Sequence, residues 1–308
     1  MYKEILVPLD GSRFAEYALP TALSVAERSG GRIRLVSAVT DVPPLPLVEH
    51  DEGTVRGWFD EARSRASEYL DDAAAQLRET ESALEVETKV LMGPAVRMLT
   101  EEIEKRPPDL VIMTTHGRGP LQRAWVGSVT DGLLRRANRP LLLVRPKPKE
   151  EANLDDRPAF QKMLIPMDGS EEAEAVLSPA SELGQLFGSS ITLFTVVPEL
   201  FAVGSSYLPH LVEEQEEQKK RRASFQRYLD ELKTRVPADA VRTRTVVGEG
   251  EDVASGIIDA AIEEKSDLIA MATHGRSGVA RLVLGSVADK VIRGSTVPVL
   301  VFRSPEKD

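Results

Sequence analysis

Four short runs of this sequence carry residue types that could hold an oxyanion. Asp10-Gly11-Ser12 and Asp168-Gly169-Ser170 each close an apolar stretch, as do His116-Gly117-Arg118 and His274-Gly275-Arg276. Separated from Gly117 and Gly275 by nine intervening residues stand Gly127-Ser128 and Gly285-Ser286, each opening a stretch of helical periodicity. Glycines let backbone N–H groups approach an oxyanion, a helix N-terminus adds donors and a positive dipole end, and the serine adds a hydroxyl. Phosphate is the guest that chemistry suits. Ser128-x-x-Asp131 and Ser286-x-x-Asp289 equally fit a capping box, which would close the helix start without a ligand. Asp10 and Asp168 could cap the following helix or accept from a ribose hydroxyl, and Arg118 and Arg276 could pair a phosphate or lie in solvent. His116 and His274 read as structural, because no second His, Cys or carboxylate stands at ligand spacing, so no protein-held metal is expected.

These runs are positioned by a repeat. Asp10 and Asp168 lie 158 positions apart (168 − 10), and the same offset carries Thr115-His-Gly-Arg118 onto Thr273-His-Gly-Arg276 and Pro140 onto Pro298. Each copy alternates β-rich runs with helical periodicity, the pattern of a parallel sheet covered on both faces. The pattern predicts strands at 4–9, 32–39, 84–91, 109–115 and 140–144, then at 162–167, 191–197, 241–247, 267–273 and 298–302. Helices are predicted near 13–29, 56–80, 95–106 and 129–138, and near 171–187, 209–235, 252–265 and 287–294. The fold class is α/β, with two tandem doubly wound five-stranded sheets in strand order 3-2-1-4-5. Residues 147–160, rich in Pro and charge, read as a linker between a first domain at 1–146 and a second at 161–308. In such sheets the ligand crevice lies outside the carboxyl ends of the strands where their order reverses, which is where the four runs should meet. Glu216 and Glu217 precede Lys220 and Arg221 by four residues and read as a solvated face.

Composition narrows the functions. In 308 residues, 39 Lys and Arg face 49 Asp and Glu, a formal charge of −10, so the chain lacks the basic surplus that nucleic acid selects. It has no cysteine, which excludes disulfides and thiol chemistry and fits a reducing compartment. No membrane span or leader is legible, so a cytoplasmic protein is expected. No Gly-x4-Gly-Lys-Ser/Thr loop and no Ser/His/Asp constellation appears near the crevice, which argues against an efficient kinase, transferase or phosphatase.

A strand-end Asp, then His-Gly-Arg with nine residues between its glycine and a Gly-Ser, found twice, resembles the universal stress protein family of ATP-binding α/β domains. The family pattern begins with a further glycine three places before Gly117 and Gly275; here those positions hold Thr114 and Ala272. The resemblance implies that Pro8, Asp10, Ala38, Met113, Gly117, Arg118, Gly127, Ser128 and Val129 surround ATP in the first copy. Pro166, Asp168, Val196, Met271, Gly275, Arg276, Gly285, Ser286 and Val287 would do so in the second, with Ala38 and Val196 beside the adenine. It further implies Mg2+ or Mn2+ held by the phosphates, a stress-response sensor or regulator, and an intramolecular pseudo-dimer through the fifth strands, with a further homodimer open. A nucleotide-free interaction protein and a slow ATP hydrolase are the alternatives. Pro120 against Gly278 predicts a poorer phosphate cradle in the first copy, and the loops at 40–56 and 198–209 are candidates to close over a nucleotide.

Overall fold

The computed structural model describes residues 1–40, 52–115, 126–146, 151–198, 208–236, 242–250, 252–273 and 284–303. The chain divides into two compact units, Met1–Ala159 and Phe160–Asp308. In the first, β1 (Glu4–Pro8), α1 (Ala18–Ser29), β2 (Arg32–Val39), α2 (Glu52–Thr80), β3 (Val86–Met92), α3 (Ala95–Lys105), β4 (Leu110–Thr114), α4 (Ser128–Arg136) and β5 (Leu141–Val144) alternate along the chain. All pairings are parallel, in the order β3-β2-β1-β4-β5. The second unit repeats this with β6 (Lys162–Pro166), α5 (Glu171–Glu174), α6 (Leu177–Phe187), β7 (Ser190–Pro198), α7 (Leu208–Lys233), β8 (Arg242–Gly250), α8 (Val253–Glu263), β9 (Leu268–Ala272), α9 (Ser286–Gly294) and β10 (Val299–Phe302). Its order is β8-β7-β6-β9-β10, again parallel. Both units therefore have the order 3-2-1-4-5.

Central strands of such sheets are covered on both faces, so they read as unbroken apolar runs. Every residue of β4 and of β9 is buried, as are Ile5, Leu6 and Val7 of β1. Asp109 locks the start of β1 by accepting from the N–H groups of Lys3 at 2.6 Å and Glu4 at 3.0 Å. Asp267 does the same for β6 through Gln161 at 2.7 Å and Lys162 at 3.0 Å. These carboxylates stand at the amino ends of the strands, away from the crevice edge.

Two expectations need correction. The single helix predicted at 13–29 is a 3-10 turn (Ala15–Tyr17) followed by α1, and its counterpart at 171–187 is split into α5 and α6. Pro20 and Pro179 are the cause: proline has no N–H to give and its ring clashes with the carbonyl four residues back, so each proline sits at the third position of the helix that starts anew. The predicted linker is also partly ordered. Ser24 donates to the Pro158 carbonyl at 2.7 Å, Arg157 pairs with Glu27, and Phe160 is buried in the second unit with its ring edge-on to Phe187 at 5.0 Å.

Candidate functional site

The turn after β1 is built from its first three residues. One oxygen of Asp10 accepts from the Ser12 N–H at 2.9 Å and its hydroxyl at 2.6 Å. The Ser12 Oγ in turn accepts from the Ala15 N–H at 3.2 Å. The second unit repeats the arrangement, Asp168 with Ser170 at 3.0 and 2.6 Å and Ser170 with the Ala173 N–H at 3.1 Å. The chain can curl back this tightly because Gly11 and Gly169 take φ of 77° and 83°, a region that side-chain-bearing residues rarely enter. Ser170 is thus the N-cap of α5, Ser12 accepts from the first residue of the 3-10 turn, and in both units the aspartate orients the serine while lining the crevice.

The helix starts at Gly-Ser differ from the capping-box alternative. Gly127 and Gly285, not the serines, are the N-caps of α4 and α9, and Ser128 and Ser286 are the first helical residues. Asp131 and Asp289 turn away to chelate Arg135 and Arg293 one turn on, with contacts of 2.8 to 2.9 Å. Each glycine N–H donates to the end of the fourth strand, Gly127 to Thr115 at 2.8 Å and Gly285 to Thr273 at 2.9 Å. Their backbone angles, φ −57°, ψ 149° and φ −59°, ψ 143°, are open to any residue. The backbone does not demand glycine here; what glycine provides is space in front of the helix.

That space is a cleft of about 330 Å³ in each unit, at the carboxyl ends of the strands where the order reverses. In the first unit its walls include Pro8, Asp10, Ala38, Met113, Gly127, Ser128 and Val129, with Ala95 and Leu99 from α3. In the second they include Pro166, Asp168, Val196, Met271, Gly285, Ser286 and Val287, with Val253 and Ile257 from α8. These are fourteen of the residues that the sequence singles out. Gly117, Arg118, Gly275 and Arg276, together with His116, His274, Pro120, Gly278 and the loops at 41–51 and 199–207, lie outside the described residues. Thr114 and Ala272 line their clefts where the family pattern has glycine, and the Thr114 carbonyl accepts from the Thr130 hydroxyl at 3.0 Å. Among the described residues, no group of three or more His, Asp or Glu could hold a metal ion.

Arg221 and Phe225 of α7 also line the second cleft, which corrects the expectation that Arg221 belongs to a solvated face. The helix is set by Tyr228, whose hydroxyl donates to Glu174 at 3.1 Å, as Tyr69 of α2 donates to Glu16 at 3.1 Å in the first unit. Burial, then the neighbouring Glu174 carboxylate, raises the Tyr228 phenol above its ordinary range, so it stays a donor. The signal that could have found Arg221 is its spacing: 221, 225 and 228 fall on one helical face.

A doubly wound parallel sheet with a cleft at the point where its strand order reverses defines the class of open α/β folds. Comparison with known proteins gives the particular family. The universal stress protein family matches residues 1–145 and again 159–303, and the chain belongs to that family. A universal stress protein of Methanocaldococcus jannaschii is 31% identical over 155 residues, covering 48% of this chain and 85% of the relative. One from Mycobacterium tuberculosis H37Rv is 24% identical over 307 residues, covering 97% and 96%. The crystal structure of a universal stress protein from Archaeoglobus fulgidus shares the fold, with TM-score 0.68 at 19% identity over 98% of this chain and 99% of that one. Among the described residues, no helix is long and apolar enough to cross a membrane.

Proposed function

We propose that the chain binds ATP at the cleft of one or both units and acts as a nucleotide-dependent sensor or regulator in a cytoplasmic stress response. The observation that carries this reading is the pair of glycine N-caps, which front α4 and α9 without a side chain and open onto clefts at the switch point. A ligand with phosphates would meet backbone donors and the Ser128 or Ser286 hydroxyl there, while the apolar walls beside Ala38 and Val196 suit a base. Mg2+ or Mn2+ would take its oxygens mainly from the phosphates, with water completing the shell. Binding acts by biasing conformation, and turnover stays far below the ordinary enzyme range of about 1 to 1000 per second.

Titration calorimetry with ATP and Mg2+ against the full chain, followed by a sensitive phosphate-release assay, tests both halves. Heats that saturate below millimolar ATP with negligible release support the reading. No heat up to millimolar ATP, or release near ten per second that is lost in Asp168→Asn, overturns it.

A further inference from the structure

The two clefts are not equivalent. In both units a tyrosine pins the long helix to the residue group that follows the Asp-Gly-Ser turn, Tyr69 to Glu16 and Tyr228 to Glu174. Leu70 and Leu229, one residue later, are both fully buried, so α2 and α7 lie in the same register on their sheets. Counting back seven and three residues from each tyrosine reaches Ala62 and Ala66 in α2, but Arg221 and Phe225 in α7. Those alanines do not line the first cleft, whereas Arg221 and Phe225 do line the second.

We propose that Arg221 and Phe225 make the second cleft selective for a ligand that joins an anion to a flat ring, so that the second unit is the tighter nucleotide site. This rests on the nucleotide reading and adds to it two residues outside the glycine-serine framework. The guanidinium offers a planar fork of donors that matches phosphate oxygens, and it does so in a chain of net charge −10 where an anion needs a local cation. Phe225, one helical turn on, provides an aromatic face in the same wall, and base-on-ring stacking tolerates any base. Tyr228 fixes the stripe at its inner end through Glu174, to which Arg235 also pairs, so the two side chains are carried on an anchored helix. Alanine at the corresponding positions leaves α2 with neither group to offer the first cleft.

The test is calorimetry of ATP and, separately, of adenosine against the full-length chain and its variants Arg221→Gln, Arg221→Lys and Phe225→Leu. Losing one charge-assisted hydrogen bond should weaken the tighter ATP step about ten- to hundredfold in Arg221→Gln, with adenosine changed less than about twofold. Arg221→Lys keeps the charge and should recover part of the loss. Phe225→Leu should weaken ATP and adenosine alike, by about tenfold, through lost stacking. Arg221 is only partly buried, so ligand-free melting of its variants should stay close to the parent and separate a binding effect from misfolding. If the parent binds ATP in two steps and Arg221→Gln leaves both unchanged, the inference fails and the nucleotide reading stands. If the parent binds neither ATP nor adenosine, both fail.

Discussion

Substituting Gly285 separates what a helix start needs from what a ligand needs. At φ −59°, ψ 143° the backbone accepts any residue, so the cost of Gly285→Val in the ligand-free chain is the poorer capping by valine, about 1 kcal/mol. For a unit of this size that lowers melting by roughly 2 to 4 °C. Gly285→Ser has the opposite sign, since a serine oxygen can accept from the first-turn N–H groups and should raise ligand-free stability by a few tenths of a kcal/mol. Binding, by contrast, should suffer in both, because each introduces a Cβ in the cleft and the serine competes for the same donors. At about a hundredfold over Kd, ATP contributes roughly 2.7 kcal/mol, or a shift of about 5 to 11 °C in the second unit's transition. Differential scanning calorimetry with and without Mg2+ and ATP reads both quantities on the same sample. The expected result is a stabilised serine variant and a destabilised valine variant that have both lost most of the ligand shift. If Gly285→Ser melts higher and still shows the parent's shift, the glycine serves only the helix and the site reasoning is wrong.

Two further predictions concern the first unit. A Cβ at Gly132 of α4 would stand 2.6 and 2.7 Å from the methyl carbons of Val96 in α3, so Gly132→Ala should cost about 1 to 3 kcal/mol against a helix-propensity gain of about 1. Adding Val96→Ala should restore stability in urea denaturation, and a single variant as stable as the parent would refute the close packing. Glu87 is held below the usual carboxylate range, first by the hydrogen bond from Arg106 at 2.6 Å, so it contributes stability above the unfolded carboxylate pKa of about 4.3 that is lost as pH falls through the lower folded value. The pair is exposed enough that Glu87→Gln should cost under about 1 kcal/mol at pH 7, and the gap should narrow as the pH is taken down through the acid range; a gap that stays equal throughout would refute the assignment.

The strand order was legible because the apolar runs, the turn residues and the 158-residue offset constrain one another. The clefts were legible for a related reason: Pro8, Asp10, Met113 and Gly127 sit at strand ends and helix starts, and a doubly wound sheet brings those ends together whatever lies between. A shift of one residue at a helix start was not legible. Ser128-x-x-Asp131 satisfies the capping pattern as letters, but the longer Arg135 side chain captures the Asp131 carboxylate first. Nor was the inner face of α7. Its run of Glu, Gln, Lys and Arg is polar on every side up to Arg222, so the stripe that carries Arg221 inward is marked only further along, by Phe225, Tyr228 and Leu232. The split at Pro20 was written in the sequence, yet an apolar period running across it masks the break.

The contrast between the starts of α5, α8 and α9 argues that the last has a use. Helices that follow parallel strands all begin at the carboxyl edge of the sheet, so each faces the need to satisfy its first N–H groups there. At α5 the Ser170 oxygen accepts from Ala173, and at α8 the Asp252 carboxylate accepts from the Ser255 N–H at 3.1 Å. Asp252 is held in its charged form, first by the Lys290 ammonium at 2.9 Å, which steadies that cap from α9 itself. Unlike these two closed starts, α9 is begun by a glycine whose conformation would equally have suited serine or aspartate. Side-chain closure was available at low cost in the same fold, and α9, which fronts the switch-point cleft, starts without it; under the proposed function an anionic ligand would supply what the glycine does not.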